Sequence, residues 1–151
     1  MASWGARFVK VASRGKNPID WAWPEKSVAD VGIVGEWVTQ GKNVGLLLGT
    51  GNIIDVEWDD EDARIELEKM ALPETVRYSS GRGEHRLYRL PKIPAHLAWK
   101  RLGGLEFRIG GRAAQSVLPP SVHPSGVPYR WIVSPLDMKP AEITLEAIGI
   151  S

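Results

Sequence analysis

Cysteine is absent from the 151 residues of the chain. That excludes a disulfide scaffold, cysteine-ligated zinc and thiol catalysis, and a chain without disulfides suits a reducing compartment. Long apolar runs are missing too, and none approaches the ~18–20 residues that a membrane-spanning helix needs. The opening stretch MASWGARFVK lacks the apolar core of a secretory signal. Internal repeats, low-complexity tracts and flexible linkers are also lacking. A soluble, cytoplasmic protein forming a single domain over 1–151 is therefore expected. The composition agrees, at 43% hydrophobic and 25% charged, the balance of an ordinary globular chain.

Net charge is only +1, but residues 1–75 sum to −5 and residues 76–151 to +6. Within these halves, 55–68 carries eight carboxylates and one arginine. The stretch 76–112 carries nine Lys/Arg against Glu84 and Glu106. An acidic cluster followed by a basic stretch suits a metal site facing a polyanion. Two solvated faces of opposite sign would give the same pattern. If the partner is a polyanion, Arg86, Arg89 and Arg101 are candidates to meet its phosphates.

Proline and glycine divide the chain into short elements. A strand is expected over 6–12, ending in the loop Ser13-Arg14-Gly15-Lys16-Asn17-Pro18. Asp30 reads as the N-cap of a helix whose apolar face holds Ile33, Val34, Trp37 and Val38, closed by Gly41. Strands over 44–48 and 52–58 are expected to form a hairpin around Gly49-Thr50-Gly51. A second helix is expected over 60–71, with carboxylates in its first turn and Pro73 after it. Further strands are expected near 77–79, 85–90, 105–109 and 116–118, and a last helix from Pro140. The sum is an α+β fold, with about three helices on one side of a mainly antiparallel sheet.

The most informative segment is Ile53-Ile54-Asp55-Val56-Glu57-Trp58. Alternation puts Ile54, Val56 and Trp58 on one face of a strand and Asp55 with Glu57 on the other. Two such carboxylates repel each other unless a cation lies between them, the arrangement that holds a divalent metal through oxygen. Removing either is expected to leave the metal-free protein no less stable. A half-exposed strand with a polar face is the plainer alternative. Leu105-Glu106-Phe107-Arg108-Ile109 repeats the design, offering Glu106 as a third carboxylate and Arg108 as a phosphate contact, or simply a surface ion pair. Between them, Ser80-Gly81-Arg82-Gly83-Glu84-His85 combines glycines that free backbone N–H groups for an anion with Arg82 and His85 as donors. In the late turn Pro119-Pro120-Ser121-Val122-His123-Pro124-Ser125-Gly126, His123 is a ligand contact or a turn residue.

Three partial motifs fail. Gly35 and Gly41-Lys42-Asn43 imitate a phosphate-binding P-loop, but five residues separate the glycines and no Ser or Thr follows the lysine. Gly81-Arg82-Gly83 lacks the third glycine of a dinucleotide fingerprint. Residues 55–66 have the span of a calcium-binding EF-hand loop, but Asp60 stands where glycine is required.

Taken together, the segments resemble the primase–polymerase domain of the archaeo-eukaryotic primase superfamily, found in plasmid, phage and mobile-element replication proteins. Gly15-Lys16-Asn17-Pro18 with Trp21 precedes Asn43-Val44-Gly45, then the acidic motif Asp55-Val56-Glu57. Ser80-Gly81-Arg82-Gly83-Glu84-His85 is similar to the family's small polar turn running into a histidine, and Glu106 to its carboxylate in an apolar strand. The 119–126 turn, followed by Tyr129 and Trp131, is similar to the closing motif. The order of these motifs, more than any one of them, carries the resemblance.

The resemblance implies a palm-like core with a sheet related to RNA-recognition motifs, and a template-dependent DNA primase/polymerase. Two Mg²⁺ or Mn²⁺ ions ~3.5–4 Å apart would be held by Asp55, Glu57 and Glu106. His85 would bind the incoming nucleoside triphosphate beside Ser80, Gly81, Arg82 and Gly83. Arg108, Lys16, Asn43, Ser121 and His123 are further nucleotide or template candidates. Template DNA and a primer strand are the implied partners. Larger family members carry a helicase or helical accessory domain, so this chain is expected to be a module of a longer protein or the partner of a separate helicase. Two other classes fit the same residues: a metal-dependent nuclease, and a non-catalytic nucleic-acid-binding replication module.

Overall fold

Successive side chains on a strand point to opposite faces, so a strand buried on both faces serves two cores. Ile53–Trp58 is such a strand. The computed structural model, which describes residues 4–110 and 114–150, places it inside the larger of two sheets. In chain order the elements are β1 (Arg7–Val11), α1 (Val31–Thr39), β2 (Asn43–Leu47), β3 (Ile53–Trp58), α2 (Glu61–Lys69), β4 (Val76–Ser79) and β5 (Glu84–Arg89). Then come β6 (Trp99–Leu102), β7 (Leu105–Arg108), β8 (Gln115–Leu118), β9 (Arg130–Val133) and β10 (Ala141–Glu142). The smaller sheet runs β1-β2-β8 and is antiparallel. The larger runs β6-β7-β3-β5-β4-β9 with antiparallel neighbours, and β10 pairs parallel with β5. The fold is α+β.

Ile53 joins Phe8, Val44, Leu46, Tyr78, Leu87 and Val117 in a cluster that couples the two sheets. Ile54 and Val56 belong to a second cluster with Tyr88, Leu105, Phe107 and Ile109, covered by Ala63 and Leu67 of α2. α1 packs on β1 and β2, and α2 on β3 and β7. The helices therefore serve different sheets, correcting the single-sided arrangement expected from sequence. The physical reason lies in the first two strands: Phe8, Val9, Val44, Gly45 and Leu46 are all buried, so the smaller sheet needs cover on both faces.

Capping follows the sequence. Asp30 accepts a hydrogen bond from Gly32 N at 2.7 Å, and Asp60 from Ala63 N at 2.8 Å. On α1 the packed residues are Val34, Trp37 and Val38, while Ile33 is exposed. The expected hairpin at 49–51 is corrected as well. β2 and β3 lie in different sheets, and a one-turn 3₁₀ segment at Thr50–Asn52 carries the chain between them. The expected helix from Pro140 is not formed. Ala141 and Glu142 instead take the ladder positions beside Tyr88 and Arg89, and Ile143, Ile148 and Ile150 pack on the second cluster. Among the described residues a single 3₁₀ turn, Glu146–Ile148, follows.

Candidate active site

Strand register gathers the chemistry. On β3, Glu57 stands opposite His85 of β5 on one side and Glu106 of β7 on the other, while Asp55 stands opposite Arg108. Residues paired across an antiparallel ladder share a face, so all five side chains project toward the same side of the sheet. Asp55 is fully buried. Its Oδ2 accepts from His85 Nδ1 at 2.7 Å and from Ser116 Oγ of β8 at 2.6 Å. Glu57 Oε1 lies 3.7 Å from His85 Nε2, and Oε2 lies 3.4 Å from an Arg108 nitrogen. The His85 ring is stacked on Tyr78, centroids 4.6 Å apart.

The electrostatics are uneven. Burial pushes the Asp55 pKa up, but His85, through charge and hydrogen bond, together with Arg108 and Ser116, brings it below its usual value. For Glu57, burial dominates and the nearby Asp55 and Glu106 charges add to it, so its pKa is raised despite His85 and Arg108. Burial would depress His85, but the Asp55 and Glu57 carboxylates outweigh it and hold the imidazole above its ordinary value.

Glu106 is held differently. Its Oε2 accepts from Arg101 at 2.7 Å and its Oε1 from Arg108 Nε at 3.1 Å. Like charges directly opposite on a sheet are unfavourable, and these two guanidinium groups offset the Glu57–Glu106 pairing. The cation-ready group is consequently Asp55, Glu57 and His85, whose ligand atoms lie within 4.8 Å of one another. Asp55 Oδ1 and Glu57 Oε2 are buried and have no hydrogen-bond partner among the described residues. Buried carboxylate oxygens that accept no hydrogen bond are the donor type that a hard divalent cation takes. The residues fit such an ion.

Glu57 and His85 border a cleft of about 830 Å³, with Asp55 buried next to His85. Of the residues expected to bind nucleotide, Lys16, Ser80, Gly81, Arg82, Gly83, His85, Arg108 and His123 line it. The β4–β5 turn shapes one wall: Ser80 N donates to Gly83 O, and Gly81 has φ 94°. A Cβ at Gly83 would meet Trp58 O at 2.1 Å, so the turn can sit against β3 only without a side chain there. His123 Nδ1 accepts from Ser125 N at 3.0 Å, which leaves Nε2 as its N–H. Burial, Lys16 and Arg82 lower the His123 pKa and favour that neutral form.

Asn43 and Ser121 are not brought into the cleft. Asn43 Nδ2 donates to Gly15 O and Val122 O, and its Oδ1 accepts from Val122 N. Ser121 Oγ accepts from Val44 N. Both fasten the late turn to β2. The acidic run 55–68 also divides: Glu57 and Asp59 line the cleft, Asp55 is fully buried behind His85 and Ser116, and Glu61 and Glu66 make exposed ion pairs along α2. Arg86 lies on the opposite face of the sheet, tied to Glu84 and Glu68.

Sequence reading missed Ser116, Gln115 and Tyr129 as site residues. Ser116 is a fully buried hydroxyl inside a strand of otherwise apolar and amide neighbours, and a buried hydroxyl must find a partner. That was its signal. Tyr129 lines the cleft, and burial and then Glu57 push its pKa up to about 12.

Over residues 1–144 the chain matches the Prim-Pol family, described as bifunctional DNA primase/polymerase, N-terminal. A search of curated proteins finds no match. No helix among the described residues is long and apolar enough to cross a membrane.

Proposed function

The chain belongs to the family of bifunctional DNA primase/polymerase N-terminal domains, which are nucleotidyltransferases of DNA replication, and from that premise we propose that residues 1–151 act as one template-dependent primase/polymerase domain. The observation that carries this reading is a pair of buried carboxylate oxygens, Asp55 Oδ1 and Glu57 Oε2, that accept no hydrogen bond among the described residues, Glu57 Oε2 having only the 3.4 Å ion pair with Arg108, beside a cleft whose other wall is basic and glycine-rich. Asp55 and Glu57 would hold the divalent ions, Mg²⁺ or Mn²⁺, with Glu106 joining once Arg108 or Arg101 releases it. Bound ions of this kind activate an attacking hydroxyl and neutralise a triphosphate.

The remaining roles fall to the chain's own groups. Lys16, Arg82 and the backbone N–H groups of residues 81–83 receive the triphosphate, with the Ser80 hydroxyl and His123 as neutral donors. His85, in contact with Asp55 and close to Glu57, orients both carboxylates and presents its edge to the incoming nucleotide. Ser116 fixes Asp55. Val117, Val127 and Tyr129 supply an apolar wall against which a sugar and base can rest. The partners are a template strand, a primer and a separate or fused helicase, in the cytoplasm.

Primer extension with ribo- and deoxynucleotides, in Mg²⁺ and in Mn²⁺, tests the proposal. Strand lengthening that requires template, metal and triphosphate is expected. Shortening of the strand without nucleotides would instead identify a nuclease, and metal-independent binding without either product a non-catalytic module.

A further inference from the structure

An indole is the largest apolar side chain, and at an exposed position on an edge strand it leaves favourable burial unused. Trp99 is 57% exposed, on β6 at the end of the larger sheet. Trp21 and Leu136 are more exposed, but both lie in loops. Trp99 is fixed in register. It stands opposite Arg108, which stands opposite Asp55. The next row of the same face runs Arg101, Glu106, Glu57, His85. With strands ~4.8 Å apart, Trp99 is about 10 Å from Asp55 across β7. The indole therefore belongs to the carboxylate face, one strand outside it.

Resting on the polymerase reading, we propose that Trp99 is a stacking platform for a base of the single-stranded template as it enters the catalytic face. Charge and continuity select this occupant over a protein. Arg101 shares the indole's face two residues on and Arg108 lies beside it, while the carboxylate in these rows nearest the edge, Glu106, is already paired with these two guanidinium groups. Proteins that bind single strands join a basic track to an exposed aromatic ring, because every base has a π-face. The platform is sequence-tolerant, as a template contact has to be.

Binding of the full chain to two labelled single strands, without metal or nucleotide, decides the matter. One strand is oligothymidylate and the other has the same backbone with abasic sites throughout. Wild type is expected to prefer the base-bearing strand. Trp99→Ala should weaken that strand about 5- to 150-fold and leave the abasic strand unchanged, while Trp99→Phe keeps most of the preference. Trp99→Leu retains apolar bulk without a π-face and should behave as Ala does, so it decides the question if Ala folds poorly. Equal binding of both strands by wild type, or variants that bind both as wild type does or lose both alike, overturns the platform. Parallel extension assays separate the two ideas. Base preference without extension sinks the polymerase reading alone, and extension unaffected by Trp99→Ala with no base preference sinks the platform alone.

Discussion

At the scale of single residues, burial treats two neighbouring carboxylates in opposite ways. Asp55 is held as an anion through Oδ2, which accepts from His85 and Ser116, and its pKa is lowered. Glu57 sits where burial and two like charges oppose ionisation, and its pKa is raised. These surroundings keep the expectation of unimpaired metal-free stability for removal of Glu57 and reverse it for Asp55, a difference that melts would decide. Asp55→Ala should destabilise by about 1–3 kcal/mol for each polar group it strands, lowering Tm by roughly 2–4 °C per kcal/mol. Glu57→Gln should stay within about 0.5 kcal/mol of wild type. Both should abolish nucleotide incorporation. Thermal melts beside primer extension check this, and an Asp55→Ala protein that melts with or above wild type would contradict it. Period-two alternation suffices to put Asp55 and Glu57 on one face. It cannot say how each is solvated, because the deciding partner, Ser116, is 61 residues away.

Among the elements, the β4–β5 turn joins the sheet to the cleft. Gly83 packs so closely on β3 that an added Cβ meets the Trp58 carbonyl. Gly83→Ala should cost roughly 1–3 kcal/mol as overpacking and push the 80–83 backbone away from the cleft. Under the proposed role of the turn as a triphosphate contact, nucleotide KM should rise more than kcat falls. Nucleotide titration of the variant checks the split, and an unchanged KM would remove the turn from the nucleotide site. This turn was legible in sequence through its glycines and the strands on either side. β6 and β9 were not. Both are edge strands without a fully buried residue, so neither carries the apolar alternation that marks a strand. The C-terminal segment was misread because Pro140 permits a helix start, whereas Ala141 and Glu142 are claimed by an open stretch of β5, a long-range demand that local signals do not contain.

For the whole molecule, the division of charge between the two halves foretold an acidic centre with basic surroundings, but it overcounted the cations open to a polyanion. Arg86 is bound to Glu84 and Glu68 across the sheet from the cleft, and Arg77 to Glu74 and Glu84. Arg89 is exposed at the end of β5, and Arg101, although paired with Glu106 at 2.7 Å, is exposed beside the cleft face where a phosphate can reach it. These should therefore differ in salt dependence. If about four phosphates of a single strand are neutralised, log K should fall with log salt at a slope near −3, at roughly −0.7 per phosphate. Arg89→Ala and Arg101→Ala should each make the slope shallower by about 0.7, evenly across template sequences. Arg86→Ala should leave the slope unchanged and lower the melting temperature instead, because it uncovers a buried Glu84. Titrations of a labelled single strand at several salt concentrations, with a melt of each variant, measure both quantities. A slope change for Arg86→Ala without a change in stability would place the template on the α2 side of the sheet, away from Asp55 and Glu57.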